Sequence, residues 1–177
     1  ALAYCGGALA MNIALRKWVA APFVVRDRAG MKSLILHPDC ANGPIRSVAA
    51  DIEATDDGCR ARFRFQGDIA KVKVPVHAMG ERMDFLWKTT CFEIFWQPQG
   101  GTYYREFNLS PSTRWACYDF DDFRANSTDA PVDAISIACS HNDSELVLEA
   151  SIASELPLPA SVALNAIVED VGGNIQF

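Results

Sequence analysis

The sequence predicts an all-β protein built as an antiparallel β-sandwich, of jelly-roll or immunoglobulin-like type. Three observations predict it. About ten short apolar or alternating runs are separated by turn signals. No convincing amphipathic helix follows residue 31. The helices of 10–15 residues that a doubly wound α/β fold places between its strands are missing.

The elements follow in order. Residues 1–30 form an N-terminal extension of uncertain structure, with a small apolar start (ALAYCGGALA), a basic pair Arg16-Lys17 and a patch Arg26-Asp27-Arg28. The chain begins with Ala, and no basic stretch precedes the apolar one; the start does not identify a signal peptide and is equally compatible with the tail of one. From Met31 the chain reads as strands and turns, and 31–177 is taken as the domain. Residues 33–37 are a short apolar strand, and 45–53 mix branched and polar residues. Thr55-Asp56-Asp57-Gly58 is a turn. Residues 59–66 alternate cleanly, with Arg60, Arg62 and Arg64 set against Ala61, Phe63 and Phe65, the period of a half-buried strand. Residues 69–74 alternate again. The runs 91–96 and 103–109 flank the loop 97–102 (QPQGGT), and 115–120 follows the turn Ser110-Pro111-Ser112-Thr113. Runs at 135–139, 145–152, 162–168 and 175–177 complete the set.

Composition narrows the function. Half of the 177 residues are hydrophobic and 21% are charged, as in a folded globular chain. The net charge of −6 disfavours a non-specific nucleic-acid binder, which needs clustered Lys and Arg. No apolar run approaches the roughly 18–20 residues of a membrane-spanning helix. The six cysteines are Cys5, Cys40, Cys59, Cys91, Cys117 and Cys139, and they contain no CxxC pair or zinc-ribbon spacing. Several lie in apolar runs and read as buried free thiols, which leans towards a reducing compartment.

Residues 82–123 crowd polar and aromatic side chains together and hold three of the four tryptophans. Alternation puts Cys91, Glu93 and Phe95 on one face of their strand, and Tyr104, Glu106, Asn108 and Ser110 on one face of the next. If Trp96 pairs with Tyr103, Glu93 lies opposite Glu106, Cys91 opposite Asn108 and Phe95 opposite Tyr104. Facing carboxylates repel. They need a cation, a basic neighbour such as Arg82 or Lys88, a shared proton, or a polyhydroxyl ligand. A register shifted by one would separate the two acids onto opposite faces. Trp87, six residues before Glu93, reaches the same face if the strand extends back unbroken. A tryptophan beside carboxylates and an amide suits a sugar, with the ring against its C–H surface and Glu and Asn on its hydroxyls. The plainer reading makes Trp87 a core residue and pairs the carboxylates with Arg82, Lys88 or Arg105 at the surface.

These same residues carry a resemblance. LWKTTCFEIF, YREFNLSPSTRWACYDFDDFR and SVALNAIVED resemble the bacterial DOMON-like ligand-binding domains, relatives of the family 9 carbohydrate-binding modules. The similarity runs from about Met31 to the end. It implies a β-sandwich with a ligand cleft on one sheet, in which two tryptophans clamp a terminal sugar unit. Trp87 falls at the first clamp position, Glu93 at the carboxylate and Asn108 at the amide. Glu106 stands where relatives often place a basic residue. The second clamp tryptophan is expected on a last strand around or just beyond Phe177, so the sandwich is expected to be cut short there. Relatives also hold calcium, for which Asp119, Asp121 and Asp122 are the nearest residues; no metal site is assigned.

The expectation is therefore a non-catalytic domain without cofactor that binds a carbohydrate or sugar-like small molecule. Trp87 stacks, Glu93, Glu106 and Asn108 hydrogen-bond, and Lys88 or Arg82 tunes their charge. Three alternatives stay open. Directly opposed Glu93 and Glu106, with Cβ atoms about 4.5–5.5 Å apart, would match the carboxyl spacing of about 5–5.5 Å in a retaining glycosidase. Some DOMON domains bind haem, for which His37, His77, His141, Met79 and Met83 are the ligand candidates. An exposed aromatic patch could instead be a protein interface.

Overall fold

The structure is a computed structural model that describes residues 31–176. The expectations about residues 1–30 and about Phe177 lie outside the described residues.

Two antiparallel sheets pack face to face. The first holds β1 (Lys32–Leu34), β2 (Ile45–Thr55), β3 (Gly58–Gly67), β8 (Ala134–His141) and β9 (Glu145–Ala153) in the order β1-β2-β3-β9-β8. The second holds β4 (Cys91–Pro98), β5 (Tyr104–Leu109), β6 (Trp115–Phe120), β7 (Thr128–Asp129), β10 (Ala160–Glu169) and β11 (Ile175–Gln176) in the order β11-β10-β4-β5-β6-β7. The chain builds a meander in the first sheet, then one in the second. It returns to the first with β8–β9 and closes the second with β10. The helical elements among the described residues are two single 3₁₀ turns, Ile69–Lys71 and Leu86–Lys88.

Strict alternation makes the core. Phe63 and Phe65 of β3 and Leu146 and Leu148 of β9 point inward from one sheet, and Phe92, Ile94, Phe107 and Leu109 from the other. Phe92 sits between Phe63 and Phe65, with ring centroids 4.9 and 4.8 Å away, and so locks the sheets together. Gly58 closes the β2–β3 turn; a Cβ there would lie 2.0 Å from the Ile152 carbonyl oxygen. On the inner face of the second sheet Arg105 is buried against Asp119, with Nε donating to Oδ1 at 2.7 Å and Nη2 to Oδ2 at 2.8 Å. Its Nη1 reaches across to Ser154 Oγ at 2.8 Å and the Glu155 carbonyl at 3.0 Å.

Several expectations change. The run 33–37 yields only the three-residue β1. Residues 69–74, which alternate like a strand, form the 3₁₀ turn and then a single bridge from Val72 to Asp170. Lys73 is committed to Glu169 at 2.8 Å, so this segment is stitched to the end of β10 rather than built into a sheet. Strand β7, two residues paired with Tyr118 and Asp119, had no sequence signal. The five described cysteines are free, and Cys59, Cys91 and Cys117 are buried. No helix among the described residues is long and apolar enough to cross a membrane.

Candidate functional site

The outer face of the second sheet carries the polar cluster, and strand register assembles it. Two rows cross the four strands β10-β4-β5-β6. The first is Asn165–Glu93–Asn108–Ala116, and the second is Ala163–Phe95–Glu106–Tyr118. The expected register is thus corrected by two residues. Glu93 lies opposite Asn108, and Glu106 lies opposite Phe95. The turn is centred one residue later than the expected pairing requires: Trp96 pairs with Arg105, β4 continues to Pro98, and Gly100 turns at φ +90. A slip of two preserves side-chain parity, so both carboxylates stay on one face. They sit diagonally, where Cβ atoms are about 7–8 Å apart rather than about 5 Å. The directly opposed dyad of the glycosidase reading therefore falls away.

This face is not open to water. Glu93 and Glu106 are each only 2% exposed and Asn108 is fully buried. Two small apolar clusters flank them. At one end Leu86 packs with Cys91, Ala116 and Ile167, and Trp87 and Tyr118 lie against that group. At the other, Phe95, Tyr104 and Phe120 pack together, with Tyr104 and Phe120 stacked at 4.7 Å. The first cluster brings the 3₁₀ turn Leu86–Lys88 down onto the sheet. Trp87 thus reaches the predicted face, but from that turn and not from an extended β4. The turn is entered through Phe85 at φ +63, and the loop after β6 carries Arg124 at φ +55. Left-handed backbone is uncommon for bulky residues, and it falls here on both segments beside the cluster.

Hydrogen bonding inside the cluster is sparse. Asn165 Nδ2 donates to Glu93 Oε2 at 2.8 Å, and Asn108 Nδ2 to Glu106 Oε1 at 2.7 Å. The Cys91 thiol points at Asn108 Oδ1, 3.8 Å away. Glu106 Oε2 is buried with no hydrogen-bond partner among the described residues. Burial raises both carboxyl pKa values well above the ordinary range, and the Glu93 charge raises Glu106 further. The two titrate as a unit: Glu93, which the Asn165 amide supports, ionises first, and its charge holds the proton on Glu106. Arg124 is the basic side chain whose charge acts on both.

The other predicted residues sit at the rim. Arg82 pairs with Asp84 at 2.9 Å and with Asp129, and its guanidinium lies 5.4 Å from the centre of the Tyr118 ring. Tyr118 donates its hydroxyl to Asp84 at 2.6 Å. Lys88 Nζ stands 4.3 Å from the Phe85 ring centre and 5.7 Å from that of Trp87. The surface ion pairs of the plainer reading are not the ones formed: Arg82 takes Asp84 and Asp129, and Arg105 takes Asp119 on the inner face. Sequence reasoning missed Asn165 and Arg124. Alternation within SVALNAIVED would have put Asn165 beside Glu93 once β10 was known to pair with β4, whereas an arginine in an aperiodic loop gives no such signal.

Asp119 is turned inward onto Arg105 and so leaves the calcium candidates. No group of three or more His, Cys, Asp or Glu among the described residues is placed to hold a metal ion. The haem candidates scatter: His37 follows β1, His77 and Met79 lie in the loop before the Leu86–Lys88 turn, and His141 ends β8 in the other sheet.

No protein-family model matches the chain, and no curated protein matches its sequence. A solved structure from Bacteroides uniformis ATCC 8492, titled a "putative carbohydrate-binding protein", is similar in fold. The TM-score is 0.50 at 12% identity, over 77% of this chain and 75% of that one. At that identity the likeness is one of fold alone.

Proposed function

We propose that this protein is a non-catalytic ligand-binding domain of DOMON-like type that takes a carbohydrate or sugar-like small molecule on the outer face of β10-β4-β5-β6. Residues 31–177 make up the domain, and residues 1–30 are an upstream extension. The observation that carries the reading is the buried acid–amide cluster of Glu93, Glu106, Asn108 and Asn165 beside Trp87. Buried carboxylates without full hydrogen bonding are costly, and a face turned away from the core has no packing reason to hold them. A polyhydroxyl ligand supplies the missing donors. The similar fold of a structure titled as carbohydrate-binding supports the same reading.

In this reading Trp87 stacks on the sugar, while Glu93, Glu106 and Asn108 take hydroxyls. Lys88 and Arg82 set the charge at the rim. Ligand entry displaces the Leu86–Lys88 turn or the loop 121–126, and the left-handed Phe85 and Arg124 mark where the chain gives way. An interaction module is the second reading, favoured by Val76 and Met79, which are 88% and 84% exposed in the segment before the turn.

The experiment is a tryptophan-fluorescence titration with mono- and disaccharides. Trp96 is buried and Trp115 packs on the core, so among the described tryptophans Trp87 is the one on the site face. A saturable change with one sugar class is expected, lost in Trp87→Ala while the variant keeps a cooperative unfolding transition. Silence across the panel would sink the sugar reading and leave the interaction module.

A further inference from the structure

We propose, resting on that sugar-binding reading, that the ligand carries a protonated amine, so that its class is amino sugars with a free ammonium rather than neutral sugars. The acid pair offers more acceptor sites than its amide neighbours are seen to fill. Glu93 ionises first, and an ammonium bound beside the pair displaces the remaining proton from Glu106 to solvent; both carboxylates then accept only, each at two oxygens with several lone-pair sites. The amides of Asn165 and Asn108 each donate one N–H to a carboxylate, and Glu106 Oε2 and the Tyr104 hydroxyl are buried without a partner among the described residues. A sugar hydroxyl offers one hydrogen and brings its own lone pairs against two carboxylates. An ammonium offers three hydrogens, no lone pair and the opposite charge.

The walls point the same way. Across the ladder Glu106 has Phe95 on one side and Tyr118 on the other, with Tyr104 two residues before it on the same face. A carboxylate set among aromatic rings is the arrangement that holds ammonium groups, because the ring faces attract a cation and the acid neutralises it. The chain already brings a cation of its own: the charge of Arg124 acts on Glu93, Glu106 and Tyr104 from the loop after β6. When that loop is displaced, the ammonium of the ligand takes over the role of Arg124.

The test uses the whole chain and sugars of matched ring. Glucosamine, galactosamine and mannosamine are each titrated against the neutral parent hexose and the N-acetylated form at neutral pH, by calorimetry and tryptophan fluorescence. At least one amine is expected to bind about tenfold or more tighter than both controls, as a charge-assisted contact inside an aromatic wall allows. Glu106→Gln, which keeps the shape and removes the charge that Glu106 takes on when an ammonium binds, is expected to bring that ratio towards one. A parent hexose that binds as tightly as its amine overturns the ammonium inference and leaves the sugar reading standing. Ethanolamine binding as tightly as the amino sugars overturns the sugar reading and keeps the ammonium. Binding by neither amine nor hexose overturns both.

Discussion

The outer faces of the two sheets carry the same kinds of residue and treat them in opposite ways. On β2, β3 and β9 the charges stand in water: Arg60, Arg62 and Arg64 alternate along β3 opposite Asp51 and Glu53 on one side and Glu149 on the other. Arg62 and Glu149 meet at 3.4 Å with more than half of each side chain exposed. On β4 and β5 the acids are roofed by apolar side chains, and neither Glu93 nor Glu106 is more than 2% exposed. Strand alternation produced both faces. What separates them is the two segments laid over one and not the other. Charge on an open face is ordinary solvation, while charge under a roof is an expense that calls for a purpose.

Substitutions sharpen that contrast. The largest expected effect is at Asn108. Asn108→Ala removes the N–H held by Glu106 in a fully buried position, and is expected to cost about 1–3 kcal/mol in urea unfolding at neutral pH. A loss no larger than that of an exposed charge would mean that the roof does not keep water out. The next effect is in the pH profile. A carboxyl whose folded pKa is raised keeps its proton where the unfolded chain has lost it. Its stabilising contribution is therefore complete below the ordinary range and declines as pH rises. For this pair the window runs from 4.5 up to about 7 for Glu93 and about 8 for Glu106. Stability is expected to fall between pH 5 and pH 8, and Glu106→Gln should flatten the fall and be the more stable protein at pH 8. Parallel profiles for the two proteins would remove the buried pair as its source. The smallest effect is on the open face: Arg62→Ala is expected to cost less than about 1 kcal/mol, and less again in high salt. A larger cost there would erase the distinction between the faces.

How much of this was legible depends on periodicity. Period two along 59–66 and through the 91–109 region gave the strands and placed Glu93, Glu106 and Asn108 on one face, and parity survived a register wrong by two residues. Period two carries Trp87 to that face only if the strand extends back unbroken. Thr89 and Thr90 do suit a strand, but the left-handed Phe85 and the 3₁₀ turn break the period before them. The alternation of Lys71 and Lys73 misled in the same way, since those lysines answer to Asp68 and Glu169 rather than to a ladder. The roof itself was not legible. It is made by irregular segments whose path over the sheet is set by tertiary contacts, such as Leu86 against Ile167, and no local pattern encodes them.

The strand order has a kinetic consequence for the cluster. β2–β3, β4–β5–β6 and β8–β9 are local hairpins or meanders, but the central pairs β3–β9 and β4–β10 join residues far apart in the chain, such as Arg60 with Ser151 and Trp96 with Val162. Closing such long loops must precede the gain from pairing, so folding is expected on the ms–s timescale typical of sandwiches, about a thousandfold slower than a helical bundle. Asn165 arrives with β10, one of the strands that must close over that distance. Until it docks, the Glu93 carboxylate keeps its water, so dehydration of the acid pair belongs to the late steps of folding, and a rise in pH is expected to slow those steps more than the early hairpins.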